Sequence, residues 1–135
     1  MELVSGGALD WLLVEFVRTT PGTAAAIVVS ADGLPMAYSP GTSHTLADQL
    51  SAATAGLVSL SRGTAALLGS GPVTQTILEM AGGYLFVTAI GDGAALAVHS
   101  DRHCDIGMVG YEMTLLADRV GHAVSPAARA DVAAT

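Results

Sequence analysis

Residues 45–69, TLADQLSAATAGLVSLSRGTAALLG, constrain the fold more than any other stretch. Leu46, Leu50, Ala53, Leu57 and Leu60 form one stripe of large apolar side chains; Ala52, Gly56, Ser59, Gly63 and Ala66 form a second stripe of small ones. Both repeat at alternating steps of four and three, a spacing that only a helix satisfies. A helix of this extent is on the order of 35 Å long. Its two glycines lower helix propensity, so their presence calls for a compensating gain. Close approach of another helix supplies one.

The flanking segments fill in the rest. Leu9, Leu12, Leu13, Phe16 and Val17 predict an amphipathic helix over about residues 7–19, stopped by the Pro21–Gly22 pair. TAAAIVVS and LPMAYS then read as strands around Asp32-Gly33. Asp-Gly between apolar runs predicts a two-residue type I′ hairpin, with positive φ at both central positions. Pro35 cannot donate to a ladder, which puts the second strand at a sheet edge. After GSGP, the runs VTQTILEMA, YLFVTAIG and AALAVHS are separated by the hairpin-sized gaps GG (82–83) and DG (92–93). Ile106, Val109, Met113, Leu116, Ala117 and Val120 predict a last helix over about 104–124. The expected order is α-β-β-α-β-β-β-α: an α+β fold with a five-stranded antiparallel sheet and helices on both faces. Residues 1–124 are expected to form a single domain and 125–135, SPAARADVAAT, a frayed tail.

Composition narrows the function classes. The formal charge is −7 and lysine is absent. Phosphate contacts need clustered Lys and Arg, so the chain is a poor nucleic-acid binder. Without lysine there is neither a P-loop nor a Schiff base. Cys104 is the only cysteine, which rules out an internal disulfide and a cysteine cage for zinc. The N-terminus lacks the basic and apolar regions of a signal peptide, and no run is apolar and long enough to span a bilayer. A cytoplasmic protein that reaches a membrane only through a partner is expected.

Few residues offer chemistry. Asp32 and Asp92 each precede a glycine between strands, and turn formation explains both. HSDRHCD, residues 99–105, holds His99, Asp101, His103, Cys104 and Asp105, all capable of metal binding. It falls at a strand-to-helix junction, where Asp101 or Asp105 is equally suited to capping the helix. GSG (69–71) and GDG (91–93) lack the strand–loop–helix setting of a dinucleotide site. His44 and His122 sit near predicted helix ends, His122 at the end that favours positive charge. No cofactor and no catalytic constellation is expected. The unusual features are geometric and suit an assembly surface.

Three stretches then match a known pattern in order: LDWLLVEFVRTTPGTAAAIVVSADGLPMAYS, LADQLSAATAGLVSLSRGTAALLG and TILEMAGGYLFVTAIGDGAALAVHSD. Together they resemble the roadblock family, the dynein-light-chain-like domain, over about residues 8–122. The small-residue composition is most similar to bacterial members. Some of these are encoded in conservons beside a small Ras-like GTPase and a histidine-kinase-like protein, and others activate the polarity GTPase of gliding bacteria. The resemblance implies a homodimer in which the third strands (73–80 here) pair across a two-fold axis and the central helices (45–68) pack together. Ala52, Gly56, Ser59, Gly63 and Ala66, with Val73, Gln75 and Ile77, are then the interface. The paired helices form a platform for a GTPase. Asp48, Gln49 and Arg62 are the polar candidates on it, among short outward side chains at Ala47, Ser51, Thr54, Ala55 and Val58. Nothing marks Arg62 as an arginine finger, so docking rather than activation is implied. Two rival readings are a ligand-sensing domain of PAS-like or profilin-like architecture and a small metal enzyme using His99–Asp105. A sensor needs a cavity lined by convergent polar groups, for which the sequence offers few candidates.

Overall fold

The computed structural model describes residues 7, 9–91 and 93–124. The elements run α1 (Asp10–Thr19), β1 (Thr23–Val29), β2 (Pro35–Tyr38), α2 (His44–Leu68), β3 (Thr76–Met80), β4 (Gly83–Ile90), β5 (Ala94–Asp101) and α3 (Ile106–Val124). This is the predicted order. The five strands form one antiparallel sheet in the order β2-β1-β5-β4-β3. Pro35 begins β2 at one edge, as its missing N–H requires.

Strand alternation sorts the core into two layers. Ala26, Val28, Phe86, Leu96 and Val98 face α1 and α3, where Leu13, Phe16, Val109, Met113, Leu116 and Val120 close the main core. Leu85, Val87, Ala95 and Ala97 point the other way, toward Leu50, Leu57 and Val58 of α2. This second layer is thin because its residues are small. The helix side that it meets is small too: Ala47, Ser51 and Thr54 are fully buried.

Local chemistry sets the boundaries. The Ser43 hydroxyl accepts the Leu46 N–H (3.1 Å) at the start of α2, and Gly69 ends it in the left-handed conformation (φ 61°). The first hairpin differs from expectation. Among the described residues no non-glycine has positive φ, so Asp32 cannot belong to a type I′ turn. The Ser30 N–H donates to the Leu34 carbonyl and the Gly33 N–H to the Ser30 carbonyl, leaving a three-residue loop with Gly33 alone at positive φ (83°). The Ser30 hydroxyl donates to the Asp32 carboxylate and accepts the Leu34 N–H. Asp32 is thus a turn residue, in a different turn. Asp92 and the tail at 125–135 lie outside the described residues.

Three boundaries also shift. The α-helical part of α1 begins at Asp10, with residues 7 and 9 in π-helical conformation before it, and α3 begins at Ile106 rather than residue 104. Strand β3 starts at Thr76 rather than residue 73. Gly71 has positive φ and Pro72 has no N–H, so the chain cannot enter the ladder there. Gln75 then directs its amide to the Thr88 hydroxyl (3.3 Å) and lies against Gly110 of α3.

Candidate functional site

Among the described residues, one surface of α2 is left uncovered. Ala52, Gly56, Ser59, Gly63 and Ala66 are all exposed, and a Cβ added at Gly56 or Gly63 would meet nothing within 4 Å. The glycines therefore have no packing role among the described residues. Beside them stand Leu60 and Leu67, exposed at 72% and 88%, with Leu46 and Leu68 also open. The predicted large stripe thus divides. Leu50 and Leu57 pack on the sheet, whereas Leu46 and Leu60 point away from it. Leu46, Ala53, Leu60 and Leu67 recur every seven residues, and Gly56 and Gly63 follow Ala53 and Leu60 by three. Large side chains alternating with gaps at this period form knobs and holes for a second helix.

Strand β3 extends the surface. Among the described residues it pairs only with β4, which leaves its outer edge unpaired there. Thr76 pairs with Val87 and Leu78 with Leu85, which places Thr76, Leu78 and Met80 on the α2 side. Leu78 and Met80 are exposed there. A contact between the Ser61 and Thr76 hydroxyls (3.0 Å) holds the helix to the strand. Ile77 pairs with Phe86 and belongs to the opposite face. Of the three strand positions expected at an interface, Val73 and Gln75 precede β3 and Ile77 faces away from α2. Leu60, Leu67, Leu78 and Met80, which are not among the expected interface positions, are large apolar residues exposed here. Their exposure follows from helix rotation and strand register, neither of which periodicity alone determines.

The expected polar candidates separate. Asp48 and Gln49 are exposed near the start of α2 and Arg62 near its end, about 20 Å apart along the axis. They cannot converge on one contact within a single chain. Asp48 lies 3.4 Å from His44 Nε2, while His44 Nδ1 meets the Tyr38 hydroxyl at 3.1 Å. Arg62 lines a cleft of ≈380 Å³ with Val58, Ser61, Pro72 and Gln75. Ala47, Ser51 and Thr54 were expected to face outward beside these residues, but they are buried against the sheet. Ala55 and Val58 are half-buried.

The HSDRHCD segment is occupied with capping. The Asp101 carboxylate accepts the His103 N–H (2.8 Å), and Asp105 accepts the Met108 N–H (3.0 Å) at the start of α3. Cys104 Sγ sits 3.4 Å from the Ser100 hydroxyl, and Arg102 Nε donates to His103 Nε2 at 3.4 Å. Among the described residues, no three His, Cys, Asp or Glu side chains are grouped to hold a metal ion. No described helix is long and apolar enough to cross a membrane.

This architecture, a helix-backed five-stranded antiparallel sheet with an open central helix, matches the Roadblock/LC7 domain model over residues 9–100. The chain belongs to the roadblock/LC7 family. A roadblock/LC7 domain from Streptomyces avermitilis is 37% identical, with a TM-score of 0.78 over 82% of this chain and 92% of that one. MglB of Myxococcus xanthus gives the same TM-score, 0.78, at 20% identity over 85% of this chain and 93% of that one. Acanthamoeba castellanii profilin IB, at 15% identity and a TM-score of 0.53 over 82% and 94% of the two chains, shares the wider fold. No curated protein sequence matches the chain.

Proposed function

We propose that this roadblock domain is a homodimeric, non-catalytic scaffold of the cytoplasm that docks and regulates a small Ras-like GTPase. The open apolar face of α2 and β3 carries the reading. A patch containing Leu60, Leu67, Leu78 and Met80 is unfavourable in water. A second copy supplies matching knobs and gaps together with an unpaired strand edge. Pairing of helices and strands across a two-fold axis is also what the family resemblance implies. A relative, MglB, has been observed in a tetrameric arrangement, which supports self-association of this fold.

The GTPase is the expectation attached to bacterial roadblock domains. Arg62 is exposed beside a cleft, where it can meet an acidic group.

Two measurements test the proposal. Light scattering should give the mass of a dimer for the native chain and that of a monomer for Gly56→Leu plus Gly63→Leu, since overpacking costs about 1–3 kcal/mol per site. A dimer unaffected by both leucines would move the interface elsewhere. Calorimetric titration with the Ras-like GTPase of the same genomic neighbourhood, in its GDP and GTP-analogue states, should show binding in at least one state. Arg62→Glu should weaken it by roughly 1–3 kcal/mol. Absence of binding in both states would defeat the platform and favour the sensing domain.

A further inference from the structure

The sheet face turned away from α2 carries a second apolar surface. Helices α1 and α3 cover that face and run antiparallel. The chain leaving α1 meets the approach to α3, where Gly22 lies against Cys104. The start of α1 meets the far end of α3, where the Arg119 guanidinium lies 5.9 Å from the centre of the Trp11 ring. The core beneath is closed by Leu13, Phe16, Val109, Met113 and Val120, all buried. Met108, Tyr111 and Leu115 fall on the arc of α3 opposite its buried residues. Trp11, Tyr111 and Leu115 are exposed at 57%, 65% and 47%. The core has no use for these side chains, yet large aromatic anchors are what interfaces concentrate.

The charges around the strip identify the occupant. Asp10, Glu15, Glu112 and Asp118 stand on these two helices against Arg18 and Arg119. Arg18 and Glu15 neutralise each other at 2.5 Å, which leaves Asp10, Glu112 and Asp118 against Arg119, itself laid over Trp11. A second copy would bring the same acids to the contact, and an anionic lipid surface would be repelled. We propose that the α1/α3 face docks an amphipathic helix of a partner protein, whose apolar stripe covers Trp11, Tyr111 and Leu115 and whose Lys or Arg flanks meet the acidic rim. The sheet separates this surface from α2, so the proposal is independent of the GTPase platform.

Trp11 is the only tryptophan of the chain and reports directly on the site. The probe is a tryptophan-free helical peptide of about five turns, with leucine on one face and lysine at its flanks. Adding it should shift Trp11 emission to the blue, saturably, whereas the same peptide with glutamate flanks should not. Tyr111→Ser plus Leu115→Ser should weaken binding roughly tenfold or more, and so should Glu112→Lys plus Asp118→Lys, which leaves the apolar strip intact. Equal binding of the glutamate peptide, or binding that survives both α3 variants, would overturn the proposal. Trp11 emission already blue and shielded from acrylamide before peptide is added would also overturn it. Dilution would then distinguish a second copy from the chain's own ends as the cover.

Discussion

Gly83 shows how a single residue is fixed by what surrounds it. It opens β4 opposite Asp101, and a Cβ there would stand 2.3 Å from the Ser100 carbonyl oxygen. That oxygen belongs to a central strand and cannot withdraw without breaking ladder bonds. Gly82, one residue earlier, would place its Cβ in open space and does not have positive φ. Gly83→Ala should therefore cost about 3 kcal/mol, and Gly82→Ala should lie within about 0.5 kcal/mol of the native chain. Urea unfolding of the two variants measures the contrast. From the sequence the pair is one turn signal, because composition reports that a turn occurs and not which glycine meets a backbone. Asp32-Gly33 carries the same lesson. The hairpin was legible, but its type depends on the Ser30 hydroxyl bridging the loop, a contact that no dipeptide rule contains.

At the scale of the element, α2 explains why rotation was misread. A helix with one apolar face declares its orientation; this one has two. Its large residues Leu46, Leu60 and Leu67 look outward, while Ala47, Ser51 and Thr54 lie inward with Leu50, Leu57 and Val58, which pack on the layer of Ala95 and Ala97. Hydrophobicity alone does not rank these faces, because large apolar side chains stand on both. Element order, edge placement of β2 and the capping role of Asp105 were legible because each depends on local chemistry. The inward hydroxyls have a consequence of their own. Ser51 Oγ and Thr54 Oγ1 are buried without a hydrogen-bond partner. Removing an unpaired buried hydroxyl at constant shape relieves its desolvation cost, so Thr54→Val should raise stability by about 1 kcal/mol. Thermal unfolding checks it, and a loss of stability would mean that the hydroxyl has a partner in solution.

At the scale of the whole molecule, the sheet separates two exposed apolar surfaces, one on α2 and β3 and one on α1 and α3. If α2 and β3 join two copies, Leu60→Ser plus Leu67→Ser should raise the dimer dissociation constant by roughly a hundredfold and leave the fold unchanged by circular dichroism, since both residues are already outside the core. Sedimentation equilibrium reads the constant directly. The two edges of the sheet are also unlike. β3 is open along its length, whereas β2 is only four residues long and begins with a proline. Two copies joined at β3 would present β2 at both outer margins, where a short, proline-started strand is a poor template for further pairing. Growth by strand addition would then stop at two: the edge that took the first partner would be used up by it, and the chain would be kept from polymerising into fibres.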